Sequence, residues 1–325
     1  MKRVSLLAAI AALHVCATAL PVSAQNYPSR PIRIIVPFEA SGAMDVVMRV
    51  VGKKVSDVGA AQIVIENKTG AGGVIGVMAV KDAAPDGYLL AEVSSSTHVL
   101  NPHTTAGIPY DPVKDFVPIT LLVRVPTLLA VPASSPANSL ADLVQLAKTK
   151  PGGLSYGSAG VGSAPHITAA LLQKSFGAPM THVPYRGLAG AMNDLLGGRL
   201  DFVFSSIPSL GGTVADGKVR VLATTGAKRI KLYPNIPSMA ELGRPEVDMD
   251  LWFGIVAPLG TDPAIVRTLN AMFVKAANAP ELTERFSQLG VEIATGSPDE
   301  FKKTLESDNA RLGPFIKELT AAKPN

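Results

Sequence analysis

The chain has 325 residues, a formal net charge of +4 and one cysteine, Cys16. The small basic excess forms no Lys/Arg run and no aromatic–basic stripe, so the sequence offers no support for nucleic-acid binding. A single cysteine excludes a disulfide within the chain. The composition, 47% hydrophobic but only 5% aromatic, is typical of an α/β protein rich in glycine, alanine and valine.

The first 24 residues have the pattern of a secretory signal peptide. Two basic residues precede an apolar segment at 6–20, and a Val-Ser-Ala sequence ending at Ala24 supplies small residues for a cleavage site. The apolar segment is shorter than the roughly 20 residues that a membrane span needs, so a transmembrane anchor is the weaker alternative. We expect cleavage near Ala24, which also removes Cys16, and a mature protein in the periplasm.

Short β-rich segments alternate with helical patterns along the rest of the chain. Strands are predicted at 32–36, 62–66, 88–93, 117–123, 127–131, 154–157, 181–184, 202–205, 219–224, 251–257 and 292–295. Helices are predicted to begin near 41 and 73 and to cover 139–150, 163–176, 189–196, 263–277, 281–289 and 298–319. Continuous apolar strands that alternate with amphipathic helices predict parallel sheets covered on both faces.

Two proline-punctuated stretches, 115–132 and 234–258, interrupt this alternation. A chain that crosses twice between the same two domains would produce such a pattern. The predicted organisation is therefore a signal peptide (1–24), a discontinuous domain 1 (25–125 and 249–325) and an inserted domain 2 (126–248). A ligand would bind in the cleft between the domains, where strand C-terminal ends and helix N-termini converge.

A turn of small residues joins the strand at 32–36 to the next helix. A helix that starts there leaves main-chain N–H groups unpaired, and these groups and the helix dipole favour an anion. The alternative is an ordinary loop whose N–H groups bind water. The candidate binding residues are Phe38, Glu39, Ser41, Gly42, Ala43, Met44 and Asp45, and the main-chain N–H groups of Ser41, Gly42 and Ala43 are the expected anion-holding part. Asp45 either favours the dipole or braces the turn.

A second strand–turn–helix junction lies in the predicted domain 2. The chain passes through Gly160 and Gly162 and opens a helix at Ser163, and the proline two residues later suits a first helical turn. His166 projects from that turn, either as a neutral core or capping side chain or as a ligand contact. Two such helix N-termini facing each other across a cleft would hold a ligand with two negative groups, which points to a dicarboxylate.

Enzymatic and metal-binding patterns are weak in this sequence. The glycine-rich stretch at 67–80 lacks the G-x-G-x-x-G spacing because Ile75 takes the third glycine position, so a tight turn with close helix packing is predicted instead of dinucleotide binding. Ser155 fits G-x-S-x-G but lies inside a predicted strand. No histidines are spaced for a metal site. We predict a binding protein with no catalytic residue, metal or cofactor, and keep a hydrolase using Ser155 or His166 as the enzymatic alternative.

Seven motifs, in order, resemble the periplasmic solute receptors of tripartite tricarboxylate transporters, also called Bug receptors. They are YPSRPIRIIVPF at 27–38, IENKTGAGGVIG at 65–76, APDGYLL at 84–90, YDPVKDFVPI at 110–119, HVPYRG at 182–187, DLLGGRLDF at 194–202 and WFGIVAP at 252–258. These motifs span nearly the whole mature chain. The resemblance implies an α/β fold of the periplasmic binding protein-like type II, or Venus flytrap: two doubly wound α/β domains with a double-crossover hinge.

The resemblance also implies a function and a set of site residues. Family members bind di- or tricarboxylates, acidic amino acids or aromatic acids, and pass the solute to a membrane permease with one large and one small subunit, or serve sensor systems. A monomer is expected. The family's ligand loops correspond here to residues 38–45, to the loop after the third strand with Ser95, Ser96 and Thr97, and to the second-domain positions Ser158, Gly160, Gly162, Ser163, His166, Tyr185 and Ser205.

Two departures from the family pattern bear on specificity. The first loop has an acid at Glu39 and Met44 where a threonine is usual, and Ser205 stands where domain 2 usually has an aspartate. One hypothesis is that Glu39 meets a donor group of the ligand from the opposite domain. The alternative, which we favour, is that Glu39 points to solvent at the cleft rim. Met44 adds apolar, polarizable surface and favours an aromatic or chlorinated acid over a citrate-like one.

Overall fold

The computed structural model describes residues 27–40, 42–105, 107–185 and 187–321. The predicted signal peptide and Ser41 lie outside the described residues. The strands are β1 (Ile32–Val36), β2 (Ile63–Asn67), β3 (Leu89–Ser94), β4 (Phe116–Val125), β5 (Thr127–Pro132), β6 (Leu154–Ser158), β7 (Met180–Pro184), β8 (Phe202–Ser206), β9 (Val219–Thr224), β10 (Leu251–Pro258) and β11 (Glu292–Ile293). Every predicted strand is present, with bounds within two residues of the prediction.

The helices also follow the predicted order. They are α1 (Ala43–Asp57), α2 (Val74–Lys81), α3 (Asn101–Thr104), α4 (Leu140–Thr149), α5 (Ala164–Phe176), α6 (Leu188–Leu196), α7 (Ile207–Ala215), α8 (Pro263–Ala277), α9 (Pro280–Gln288) and α10 (Pro298–Ala321). The prediction missed α7 and the helical segment from Ser96 through α3. Serine, threonine and asparagine in the second segment favour turns, and a proline and two glycines lower the helix propensity of α7.

The strands form two sheets. The six-stranded sheet has the order β11-β4-β10-β3-β1-β2, and the five-stranded sheet has the order β7-β6-β8-β5-β9. We call the regions built on them the six-stranded and the five-stranded domain. Strands from both ends of the described chain make the first sheet, and the second is formed by strands that lie between β4 and β10 in sequence. The exact domain boundaries proposed above remain a prediction.

The prediction of parallel sheets is only half right. β1 runs parallel to β2 and β3, and β6 runs parallel to β7 and β8, but β10 is antiparallel to both of its main neighbours, and so is β5. The reason is the double crossing. The chain leaves the six-stranded domain through β4 and returns through β10, so these adjacent strands run in opposite directions. The same holds for β5 and β9 in the other domain.

Both faces of the six-stranded sheet are covered, which explains why its strands are apolar throughout. Ile34 and Val36 of β1 pack towards α1 and α8, whereas Ile35 belongs to a core on the opposite face. Helix α10 reaches both domains. Its Phe301 ring packs edge-on to Trp252, 5.5 Å between centroids, while Lys174 of α5 lies 5.3 Å from the Phe315 ring centroid. Within the described ranges, the helices include none that is long and apolar enough to cross a membrane.

Candidate functional site

The first predicted loop leads from β1 into α1 as expected. Gly42 is the N-cap of α1, with extended backbone (φ −71°, ψ 166°), and no side chain caps the helix. The first N–H groups of a helix have no partner within it. Gly42 N, one of the predicted anion-holding groups, donates to Glu39 O at 3.3 Å. The main-chain donors that remain for a ligand or water are therefore those of the first helical turn. Ala43 and Met44 occupy the first turn, and the Met44 side chain is buried.

Asp45 braces this loop. Its buried carboxylate accepts hydrogen bonds from Arg49 Nε at 2.9 Å and from Asn67 Nδ2 at 2.8 Å. Asn67 Nδ2 also donates to the Phe38 carbonyl at 3.0 Å, so the end of β2, the loop and α1 are held together. Of the two roles considered for Asp45, this contact pattern favours bracing. Glu39 is exposed, in keeping with the rim position, and its part in selectivity remains a prediction.

The glycine-rich stretch brings two of the predicted loops together. Gly73 has φ +96°, and a Cβ placed there would lie 2.7 Å from Thr97 Cγ2 and 3.2 Å from Phe38 Cζ. Only glycine fits so close an approach with this backbone conformation. The predicted tight turn with close packing is confirmed, and it sets the 38–45 loop beside the loop after β3.

The polar side chains in the loop after β3 differ in whether their hydroxyl groups are already hydrogen-bonded. The Thr97 hydroxyl is used within the loop, since it accepts from Ser94 N at 3.0 Å and donates to Ser94 O at 3.1 Å. Ser96 is half-buried. Ser95 is 1% exposed, and its Oγ has no hydrogen-bond partner among the described residues. An unpaired buried hydroxyl costs free energy, about 1–3 kcal/mol, so Ser95 is the residue of this loop that a ligand or water would complete.

The loop after β6 is fixed by its own side chains. Ser158 Oγ accepts from Gly160 N at 3.1 Å and lies 2.6 Å from His182 Nε2, while Ser163 Oγ donates to Gly160 O at 2.7 Å. Gly162 N donates to His166 Nδ1 at 3.0 Å. That bond leaves the ring proton of a neutral imidazole on Nε2. His166 thus caps the loop, as one of its two predicted roles requires, and keeps one donor.

Sequence reasoning missed a ring stack beneath this loop. The His166 and His182 rings are stacked with centroids 3.9 Å apart, and Tyr156 lies 5.0 Å from His182. Burial, with the neighbouring His182, lowers the pKa of His166 to about 4, and burial also lowers the pKa of His182. Both rings are therefore neutral at pH 7. The pairing of Tyr156 with His182 in the β6–β7 register is a long-range contact without a local sequence signal.

Tyr185 and Ser205 complete the predicted second-domain set. The half-buried Tyr185 donates from its hydroxyl to Asp194 Oδ2 at 2.5 Å, and its ring packs against Gly190, so its polar atom is already engaged. Ser205, at the end of β8, is 1% exposed and its Oγ has no partner among the described residues. Ser205 pairs with Leu128 in β5, close to the crossover between the domains.

The two domains touch at Gly162 and at Gly290. A Cβ on Gly162 would lie 3.1 Å from Thr104 Cγ2 of α3, and a Cβ on Gly290, next to β11, would overlap Ile207 Cδ1 of α7. The first contact sets the loop after β6 against the end of α3, across the domain junction. The site has buried hydroxyls and free helix N-termini on both sides, a composition suited to binding an anion.

The enzymatic and metal alternatives find little support. Ser155 Oγ donates to Asp201 Oδ2 at 3.0 Å inside β6, an arrangement that does not activate it as a nucleophile. Ser158 does contact a histidine, His182, but Ser158 is fully buried and bonded to its own loop. In the part of the chain that the structure describes, no three His, Cys, Asp or Glu side chains are grouped to hold a metal ion.

The fold and this site define a class, the periplasmic binding proteins, whose solved members share the two-domain α/β architecture. The chain belongs to the tripartite tricarboxylate transporter receptor family, because the model described as "Tripartite tricarboxylate transporter family receptor" matches residues 47–321. The resemblance drawn from the motifs is confirmed.

Individual relatives cover most of the chain. The UPF0065 protein in the tcbD-tcbE intergenic region of Pseudomonas sp. strain P51 is 36% identical over 90% of this chain and 87% of its own. A protein of R. palustris solved with adipate is 31% identical, with a TM-score of 0.75 over 91% of this chain and 99% of its own. MatC from Rhodopseudomonas palustris with bound malate is 28% identical, with a TM-score of 0.71 over 89% and 100%.

Proposed function

We propose that this receptor binds a small organic acid, a di- or tricarboxylate or an aromatic carboxylate, in the cleft between its domains. In this proposal the closed form then presents the acid to a membrane permease with a large and a small subunit, or to a sensor kinase. The observation that carries it is a pair of buried hydroxyls without partners among the described residues, Ser95 in one domain and Ser205 in the other. Each is a buried hydroxyl that a ligand or water would complete, one in each domain.

Helix ends and histidine chemistry support an anionic ligand. Helices α1, α5 and α7 follow the ends of β1, β6 and β8 and begin without a side-chain cap. Free N–H groups at a helix N-terminus attract carboxylates. The neutral His166 adds an Nε2 donor. The relatives solved with adipate and malate support the carboxylate class, and the identity of this chain's own acid is a matter for experiment.

A thermal-shift screen of the mature chain tests the proposal directly. Adipate, malate, citrate, benzoate and nicotinate are the probes, and a ligand that binds only the folded form raises the melting temperature by mass action. We expect at least one acid to stabilise the protein, and Ser205→Ala or Ser95→Ala to weaken its binding about fivefold to tenfold, as expected for a lost hydrogen bond. Ser29→Ala, an exposed serine ahead of β1 and away from the cleft loops, is the control. If no carboxylate gives a shift, the carboxylate assignment is wrong.

Glu39→Gln separates the two interpretations of Glu39. With Glu39 at the rim, we expect affinities for the whole acid panel to change less than about twofold, because exposed charges interact weakly across water. The measurement is calorimetric titration of each acid that the screen finds, with the wild type in parallel. A change of tenfold or more for an acid that carries a donor group, but not for one that lacks it, would establish Glu39 as a selectivity residue.

A further inference from the structure

The chain crosses between the domains twice, from β4 to β5 and from β9 to β10. These two crossover segments meet at three hydrogen-bonded residues, Thr127, Thr225 and Asp250, which we call the hinge triad. Thr127 begins β5, Thr225 follows β9, and Asp250 precedes β10, so each stands where the chain enters or leaves a domain. Thr127 N donates to Thr225 Oγ1 at 2.8 Å, and Thr225 Oγ1 donates to Asp250 Oδ1 at 2.5 Å. All three are buried. A rotation of one domain about the crossovers would shift these positions relative to one another.

Asp250 lines a hinge cavity of about 380 Å³. Gly226 has φ +90°, and a Cβ placed there would lie 2.8 Å from Asp250 Oδ2, so a larger residue would displace the carboxylate. The charged groups around Asp250 are Arg124 of β4, Lys228 and Asp248 of the second crossover, Glu292 of β11, and Asp308 and Arg311 of α10. None of the ion pairs among the described residues includes Asp250.

In these surroundings the Asp250 carboxyl takes up a proton near neutral pH. Burial, with the nearby Asp248, raises the pKa of Asp250 to about 7, against the smaller opposing effects of the Thr225 hydrogen bond and Arg124. The arrangement seen here has the domains in contact at Gly162 and Gly290. Opening the hinge triad to water would return the pKa of Asp250 towards its ordinary value of 3.8.

We propose that Asp250 is a positioning residue of the hinge, and that its buried carboxyl couples proton uptake to closure of the two domains. The proton is bound when the hinge triad is assembled and released when it opens. Lower pH therefore favours the closed arrangement. This coupling concerns the angle between the domains, so it holds without ligand and stands apart from the choice of acid in the cleft.

Spin-label distances on the ligand-free mature chain test the coupling. That chain contains no cysteine once the signal peptide is removed, so Lys53→Cys on α1 and Lys148→Cys on α4 place one label in each domain at exposed positions. For a pKa of about 7 in the closed arrangement, we expect the ratio of closed to open molecules to rise about tenfold from pH 8 to pH 6. In Asp250→Asn, which keeps the shape but not the titration, the ratio should not change.

Two further variants complete the experiment. Thr225→Val keeps Asp250 but removes a hydrogen bond that opposes its protonation, so it should raise the closed-state pKa of Asp250 and enlarge the pH response between pH 8 and pH 6. This variant decides the question if Asp250→Asn fails to fold. Asp216→Asn, exposed in the five-stranded domain, should respond as the wild type does. The proposal is overturned if the wild type shows no pH response, if Asp250→Asn responds as strongly as the wild type, or if Thr225→Val responds no more strongly than the wild type. Because no ligand is added, a negative result leaves the proposed carboxylate receptor function standing.

Discussion

Gly290→Ala is expected to hold the two domains apart and to weaken ligand binding. A Cβ at this position would overlap Ile207 Cδ1 of the opposite domain and lie 3.1 Å from its Cβ. Forcing an extra methyl into a packed contact costs about 1–3 kcal/mol, which corresponds to roughly fivefold to 150-fold in affinity if the contact forms only on closure. The measurements are the distance between labels at positions 53 and 148, which should lengthen, and titration of the acid identified in the screen.

A matched glycine separates this effect from backbone strain. Gly290 has φ +65°, and any L-residue there is strained by the left-handed conformation as well as by the overlap. Gly59 has φ +69°, and a Cβ placed there would have no atom within 4 Å, so Gly59→Ala should lower stability without lengthening the label distance. Adding Ile207→Val to Gly290→Ala removes the closest methyl and should restore part of the affinity. Equal label distances in Gly290→Ala and the wild type would show that this contact does not limit closure.

Local sequence patterns account for most of the secondary structure because they report local physics. A serine just ahead of a helical pattern, as at Ser139, predicts an N-cap, and its Oγ accepts from Asp142 N at 3.1 Å at the start of α4. The alternation of apolar strands and amphipathic helices likewise located the β–α units. Strand direction could not be read in the same way. A strand buried on both faces has the same apolar composition whether it is parallel or antiparallel, so β5 and β10 gave no sign of their orientation.

In the candidate site, too, local features could be predicted from the sequence and long-range contacts could not. The glycines and small residues that place the loops are local features, and the loops were found from them. What each side chain does depends on partners far away in sequence. The Thr97 hydroxyl is bonded within its own loop, and the Asp45 carboxylate is bonded to the distant Asn67, whereas the Ser95 and Ser205 hydroxyls remain unpaired among the described residues. Polar residues that look alike in the sequence therefore have different roles in the folded protein.

Glu92 is the clearest case of a side chain whose setting no local pattern reveals. It lies in the middle of β3, opposite Ile255 of β10, and is 0% exposed. Neither carboxyl oxygen has a hydrogen-bond partner among the described residues. Burial, with the charge of Asp45, raises the pKa of Glu92 well above its ordinary value of 4.5. The native state therefore binds a proton that the unfolded chain releases above pH 4.5.

Glu92→Met should stabilise the protein, and more so as the pH rises. Because the folded-state pKa of Glu92 is raised, its favourable contribution is complete below pH 4.5 and is lost as the pH increases towards the folded-state pKa. Removing a buried polar group without partners is worth about 1–3 kcal/mol, which we expect to see in urea unfolding at pH 8, with a smaller gain at pH 5. Glu92→Gln removes the charge but leaves a buried polar group, so it should remove the part of the pH dependence that Glu92 causes, with little gain in stability. If the wild type and Glu92→Met lose stability equally between pH 5 and pH 8, Glu92 is not the group that titrates.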